Sequence, residues 1–232
     1  MIKTFLIFLN LSIILSASEQ IVLVVSENFN SPTAYLECYE GSKLVLKKTK
    51  VNIGKKGLGW GLGEQNLTYT KNEPLKYEGD KKAPIGVFKL SSIYGYASNS
   101  NFKMPYLHAS KNLICVDDSN SSFYNQIITA HGDEKSFEHM RRKDKLYELG
   151  IVVEHNTMAL PQRGSCIFLH VQKSLGSPTS GCTSMSLEKM QQISSWLDST
   201  KKPILIQIPK SSASEIKKLY PKLENSQLLQ EN

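Results

Sequence analysis

Short apolar runs separated by turn residues dominate the chain from residue 21 onward. Residues 21–26 (Ile-Val-Leu-Val-Val-Ser) form an almost unbroken β-branched run, the mark of a buried strand. Residues 35–40 and 44–51 predict a second and a third strand, joined by Gly41-Ser42. Residues 78–90 read as a loop that enters a strand, and residues 114–116, 151–155, 165–170 and 204–208 supply further strands. Residues 94–106 read as a polar, aromatic loop. Helical spacing is scarce. Leu187, Met190, Ile193 and Leu197 share one face of a helix that Ser186 can cap and Glu188 suits in its first turn. Residues 136–149 carry a partial helical stripe through Phe137, Met140 and Leu146. From residue 211 the chain is polar, and Ile216, Leu219 and Leu223 predict a surface helix or a partly disordered tail. The glycine-rich stretch 54–63 lacks the ending of a phosphate loop, and no helix-forming segment follows it. It predicts a loop crossing close to another backbone, with Trp60 packed against it. Many short strands with few helices make a mainly β domain.

The first residues break this pattern. Lys3 precedes the apolar run 5–15, which Asn10 interrupts, and Ser16-Ala17-Ser18 offers small residues for cleavage. This reads as a secretory signal over residues 1–18. It is shorter than the roughly 20 apolar residues a membrane span needs. The expected product is exported and not stably inserted in a membrane. Its organisation is a catalytic domain over residues 19–210 and a polar tail over 211–232.

Charge narrows the partners. The chain carries a net charge of +7 on 28 basic and 21 acidic residues. The basic residues are scattered, without a stripe interleaved with aromatics, so nucleic-acid binding is not expected. An anionic cell-wall polymer suits the same charge. Four cysteines, at positions 38, 115, 166 and 182, allow three full pairings. Export permits disulfides. No C-x-x-C pair and no H-E-x-x-H spacing occurs, so no metal site is expected. Cys166, beside Ile167 and Phe168, reads as a small buried hydrophobe.

The chemistry concentrates in one place. Cys182 sits in Thr179-Ser180-Gly181-Cys182-Thr183, and His170 ends an apolar run a short loop upstream. A cysteine is a strong nucleophile as a thiolate, and a neighbouring imidazole is the usual way to make one near neutral pH. Gly181, Ser180 and Thr183 let backbone amides approach a reacting carbonyl, as a developing oxyanion requires. His170 is the candidate base toward the thiol and acid toward a leaving amine. If Cys182 stays free for this role, the other three cysteines can form at most one bridge. Candidate substrate contacts are Arg141 and Arg142 for a carboxylate, His155 and Asn156 at a strand end, and Thr179. This chemistry needs no cofactor.

Four stretches together resemble the L,D-transpeptidase catalytic domain of the YkuD type: residues 54–61 (Gly-Lys-Lys-Gly-Leu-Gly-Trp-Gly), 78–88, 140–156 and 164–185. The last is the most specific, because a histidine-bearing strand precedes a small-Gly-Cys turn and a helix follows. The resemblance implies a mainly β sandwich or distorted barrel with a few peripheral helices, and a shared cleft for the cysteine and histidine. It also implies a bacterial wall role on peptidoglycan stem peptides, in the periplasm or cell wall. The family cysteine attacks after the third stem residue, releases the terminal D-alanine, and passes the acyl group to an amine as a 3–3 cross-link. Water as acceptor gives an L,D-carboxypeptidase or amidase, and loss of chemistry would leave a wall-binding module. The chain departs from the common family pattern at Ser180, where a histidine is usual, at Ser184, where Arg or Asn is usual, and at Val171, where glycine is common. The interval from His170 to Cys182 is also shorter than usual.

Overall fold

A computed structural model describes residues 19–230; the signal segment expected at residues 1–18 lies outside the described residues. The strands are β1 (Gln20–Ser26), β2 (Thr33–Glu40), β3 (Lys43–Asn52), β4 (Leu58–Trp60), β5 (Ala83–Gly95), β6 (Tyr106–His108), β7 (Leu113–Val116), β8 (Ile127–Thr129), β9 (Phe137–His139), β10 (Leu149–Val153), β11 (Phe168–Val171), β12 (Thr183–Met185) and β13 (Ile204–Pro209). Two α-helices, α1 (Leu187–Trp196) and α2 (Ala213–Leu219), complete the elements used below.

The apolar runs become central strands because both of their faces are covered. Every residue of β1 and β13 is buried, and the two pair in parallel with Ile21 opposite Ile204. Parallel strands covered on both faces read as continuous hydrophobic runs, as these do. Next to them, β2 and β3 form a hairpin turned at Gly41, and the outer strand β3 carries the lysines. The large sheet runs β10-β11-β12-β3-β2-β1-β13-β5-β4, with β6 on β5. A further pairing of β10 with β5 closes it into a barrel. Strand β5 can serve both ends because its first half pairs with β13 and its second half with β10. The resemblance pointed to this mainly β, barrel-like form.

A second sheet, β8-β7-β9, lies outside the barrel. A disulfide between Cys115 on β7 and Cys166 before β11 ties it there. Cys166 is therefore a bridge cysteine and not a packing residue alone. The seam between the sheets has its own apolar cluster, which includes Tyr94, Met140, Tyr147, Phe168 and Cys182. Barrel closure is tight at this seam: a Cβ on Gly150 would lie 2.2 Å from the Tyr94 ring.

Helix α1 follows the expected pattern. Ser186 caps it by accepting from the Lys189 amide, and Met190, Ile193 and Leu197 are buried. Residues 136–149 do not form a helix. Phe137–His139 pair with β7, Lys145 takes a left-handed turn conformation, and Leu149 already begins β10. The partial stripe there arises from a strand and a turn, not from helical periodicity. The tail packs more closely than its polarity suggests. Ile216 and Leu223 are buried, Leu219 is exposed, and Ser226 donates to the buried Glu37 carboxylate at 2.7 Å. The glycine loop runs hard against another backbone: Gly57 has φ +75°, and a Cβ there would lie 2.0 Å from the Phe29 carbonyl oxygen. Among the described residues, no helix is long and apolar enough to cross a membrane.

Candidate active site

Strands β11 and β12 run parallel, with Leu169 opposite Thr183 and His170 opposite Ser184. This register sets Cys182, just before β12, beside Phe168, whose amide donates to the sulfur at 3.3 Å. Side chains alternate along a strand, so Phe168 and His170 share one face of β11. Cys182 and His170 therefore line a common cavity of about 420 Å³ at the seam between the two sheets.

The turn that carries the sulfur is built by Thr179. Its hydroxyl donates to the Cys182 carbonyl at 2.6 Å and accepts from the Gly181 amide at 3.1 Å. Its backbone bonds to Ile53 and Lys55, so the glycine loop supports the turn from behind. Asn52, at the end of β3, holds the loop between His170 and Cys182. Its side chain bonds to Gln172, the Ser174 carbonyl, Ser184 and the Gly176 amide.

His170 is oriented by its own backbone. Its Nδ1 lies 2.8 Å from the Val171 carbonyl oxygen. A carbonyl only accepts, so Nδ1 carries the proton and Nε2 keeps a lone pair. Burial lowers the imidazole pKa to about 4, against the opposing pull of the Val171 carbonyl. The ring is therefore neutral at pH 7. The Cys182 thiol shifts the other way. Burial raises it to about 12, Glu138 adds to the rise, and the Phe168 amide, Lys76 and Tyr147 oppose it. The S–H points to the Cys166 carbonyl at 3.5 Å. The resting pair is thus a neutral thiol and a neutral imidazole, with the thiol bonded to backbone instead of to the ring.

Sequence reasoning missed several groups on this cavity wall. The buried Lys76 donates to Asp80 at 2.7 Å and to the Tyr77 carbonyl at 2.6 Å, and its ammonium would lie 3.9 Å from a Cβ on Gly181. Glu78 accepts from Tyr124 and Ser165. Tyr147 donates to Glu138 at 2.5 Å and sets its ring edge-on to His170, with centroids 5.2 Å apart. Lys76, Glu78, Ser165, Tyr147 and Glu138 line the cavity. Glu78, Tyr147 and Ser165 fall inside the stretches of family resemblance, whereas Lys76 and Glu138 lie outside all four and carry no local signal.

The remaining candidates divide. Thr179, Ser180, Gly181 and Arg142 lie on the cavity wall. Arg142 is held there by two bonds to Asp144 and lies over the Tyr147 ring. Thr183 does not face the cavity; its hydroxyl donates to Gln207 at 2.6 Å. Arg141 turns away, stacks on Tyr96 and donates to the Tyr96 and Ala109 carbonyls. His155 and Asn156 are buried elsewhere. His155 bonds the Leu62 amide and the Arg163 carbonyl, and Asn156 bonds Leu160 and Gly164. Both spend their polar atoms on fixing a loop, so neither is free to read a substrate. Among the described residues, His131, Asp133 and Glu134 bring ligand atoms within 4.8 Å of one another. Two of the three are exposed, and they lie outside the Cys182 cavity.

A family model, described as the YkuD L,D-transpeptidase catalytic domain, matches residues 21–206. The chain belongs to this family. The match runs from β1 into β13 and so takes in the whole barrel and the cavity. No curated protein and no solved structure matches the chain. Within this YkuD domain, His170 lies on β11 and Cys182 on the turn that enters the neighbouring β12, while Tyr147, Glu138 and Lys76 come from other segments that meet at the same wall.

Proposed function

We propose that this YkuD protein is an exported cysteine L,D-transpeptidase that acts on the tetrapeptide stems of peptidoglycan. The observation that supports it best is the pairing of Cys182 with an oriented His170 on one cavity. The thiol leaves the Cys166 carbonyl and gives its proton to His170 Nε2. The thiolate attacks the carbonyl carbon of the third stem residue. The Cys182 amide is the proposed oxyanion donor, because the Gly181 amide is already taken by Thr179. Collapse of the tetrahedral intermediate breaks the C–N bond, and His170 gives its proton to the departing D-alanine amine. The thioester then accepts an amine from a second stem. That amine's proton passes through His170 back to the sulfur as the new amide forms.

The Cys115–Cys166 disulfide supports export, because such bridges persist in oxidising compartments. A periplasmic or cell-wall location, a removable signal at residues 1–18 and a catalytic unit over residues 19–210 belong to the same proposal. The test is incubation of the mature protein with a defined tetrapeptide muropeptide, followed by product masses. Cross-linked dimers with loss of D-alanine are expected, and Cys182→Ala should abolish them. Shortened stems alone would replace the transpeptidase with a carboxypeptidase. Full activity in Cys182→Ala would end both readings.

A further inference from the structure

We propose that Tyr147 is the direct hydrogen-bond donor to the Cys182 thiolate, and that Glu138 is a positioning residue whose protonation decides where the Tyr147 proton points. This rests on the reading of Cys182 as the nucleophile.

Three side chains carry the inference. Cys182, Tyr147 and Glu138 line one cavity. Tyr147 is 4% exposed and has little room to leave. Its ring is fixed edge-on to Tyr94, Phe168 and His170. Its hydroxyl donates to Glu138, and the residue packs in one cluster with Cys182, its ring against Phe168, whose amide already donates to the sulfur. A phenol has one proton. It cannot serve a carboxylate and a thiolate together.

The proton inventory gives two states. With Glu138 ionised, the phenol proton goes to the carboxylate, as in this structure. The phenol oxygen then turns only lone pairs toward the sulfur, which suits S–H and opposes S⁻. With Glu138 protonated, the carboxyl O–H donates to the Tyr147 oxygen. The phenol proton is then free to bond the thiolate while the thiol proton rests on His170. No proton leaves the Glu138–Tyr147 pair during attack; two O–H bonds reorient. The surroundings favour the second state more than an ordinary surface carboxylate would. Burial raises the Glu138 pKa, and Asp117 and Glu78 push the same way. The Tyr147 bond and the Arg142 guanidinium act against them. The sulfur also faces the Lys76 ammonium, which favours the thiolate, and the Tyr94 phenol lies in the same cluster.

The experiment follows alkylation of Cys182 by iodoacetamide from pH 5 to 10, read at the Cys182 peptide by mass spectrometry. It uses the disulfide-intact chain and needs no turnover. Tyr147→Phe should slow alkylation at neutral pH by about tenfold, the scale of one charge-assisted hydrogen bond. Glu138→Gln, which is neutral and competes less for the phenol proton, should alkylate faster than wild type above the Glu138 titration. The double variant should match Tyr147→Phe. Wild-type rates in Tyr147→Phe overturn the proposal, and so does slowing in Glu138→Gln. If Tyr147→Phe does not fold, Glu138→Gln does not decide alone, since removal of the Glu138 charge would by itself also speed alkylation. 3-Fluorotyrosine at position 147 then decides: its more acidic phenol is a stronger donor and should speed alkylation, and an unchanged rate overturns the proposal. Full product formation by Cys182→Ala would instead sink the nucleophile reading, which is a separate outcome.

Discussion

Two histidines end as neutral rings because both are buried, and both leave a mark on stability. His155 and His170 are 2% and 6% exposed, and burial lowers each to about 4. The ordinary value is about 6.5. Above pH 6.5 both rings are neutral in the folded and unfolded chains, and their contribution is fully present. Between 6.5 and 4 the unfolded chain binds protons that the folded chain refuses. Stability therefore falls as pH falls through this window, by about 3 kcal/mol for each ring near its lower end. Melting temperatures from pH 8 to pH 4 should drop most steeply below 6.5. His155→Gln offers polar atoms for the Leu62 amide and the Arg163 carbonyl without titrating, so it should remove about half of the acid slope. An unchanged slope would show that His155 is not buried as a neutral ring. The same two residues show what the chain does and does not reveal. That Cys182 and His170 share one cavity was legible because it depends on local spacing. His155 and Asn156 read as site residues because a polar strand end looks alike in either role. What separates them is whether backbone groups from residues 62, 160, 163 and 164 consume their polar atoms, and that is a tertiary fact.

Elements were legible where burial alone decides them. β1 and β13 lie at the centre of the sheet, and α1 shows its cap and its buried stripe. Residues 137–139 were not legible, because three residues become a strand only when β7 offers its edge. The C-terminal segment is the instructive case. Its polar surface suggested a tail at the margin, yet α2 and the turn after it bury Ile216, Leu223, Leu228 and Leu229. Ser226 also gives one of two hydrogen bonds to the fully buried Glu37, the other coming from Tyr39. A buried carboxylate that loses a donor costs about 1–3 kcal/mol or more, before any lost apolar contact. Truncation after Lys210 should therefore destabilise the barrel by several kcal/mol, even though the family match ends at residue 206. Ser226→Ala should cost about 1–3 kcal/mol by urea unfolding. A truncated chain with wild-type stability would reduce the tail to a decoration.

At the scale of the whole molecule, the site belongs to neither sheet alone. The barrel supplies Cys182 and His170, while the small sheet supplies Glu138 from β9. The two bodies are joined by the Cys115–Cys166 bridge across a separation of 51 residues. Cys166 does more than tether, since its carbonyl accepts the resting S–H of Cys182 and its amide donates to Asn125. Opening the bridge should therefore act at two levels. Chain-entropy arguments give a stability loss of about 4 kcal/mol for a loop of this size. Locally, release of β7 lets β9 and Glu138 draw away from Tyr147, which changes the field at the sulfur. The double variant Cys115→Ser/Cys166→Ser should melt well below wild type. At a temperature where it remains folded, its Cys182 alkylation profile should also be shifted in pH. A variant that melts early but keeps the wild-type profile would confine the bridge to stability. A variant with both properties unchanged would mean that packing at the Tyr94–Tyr147–Phe168 seam holds the two sheets together without it.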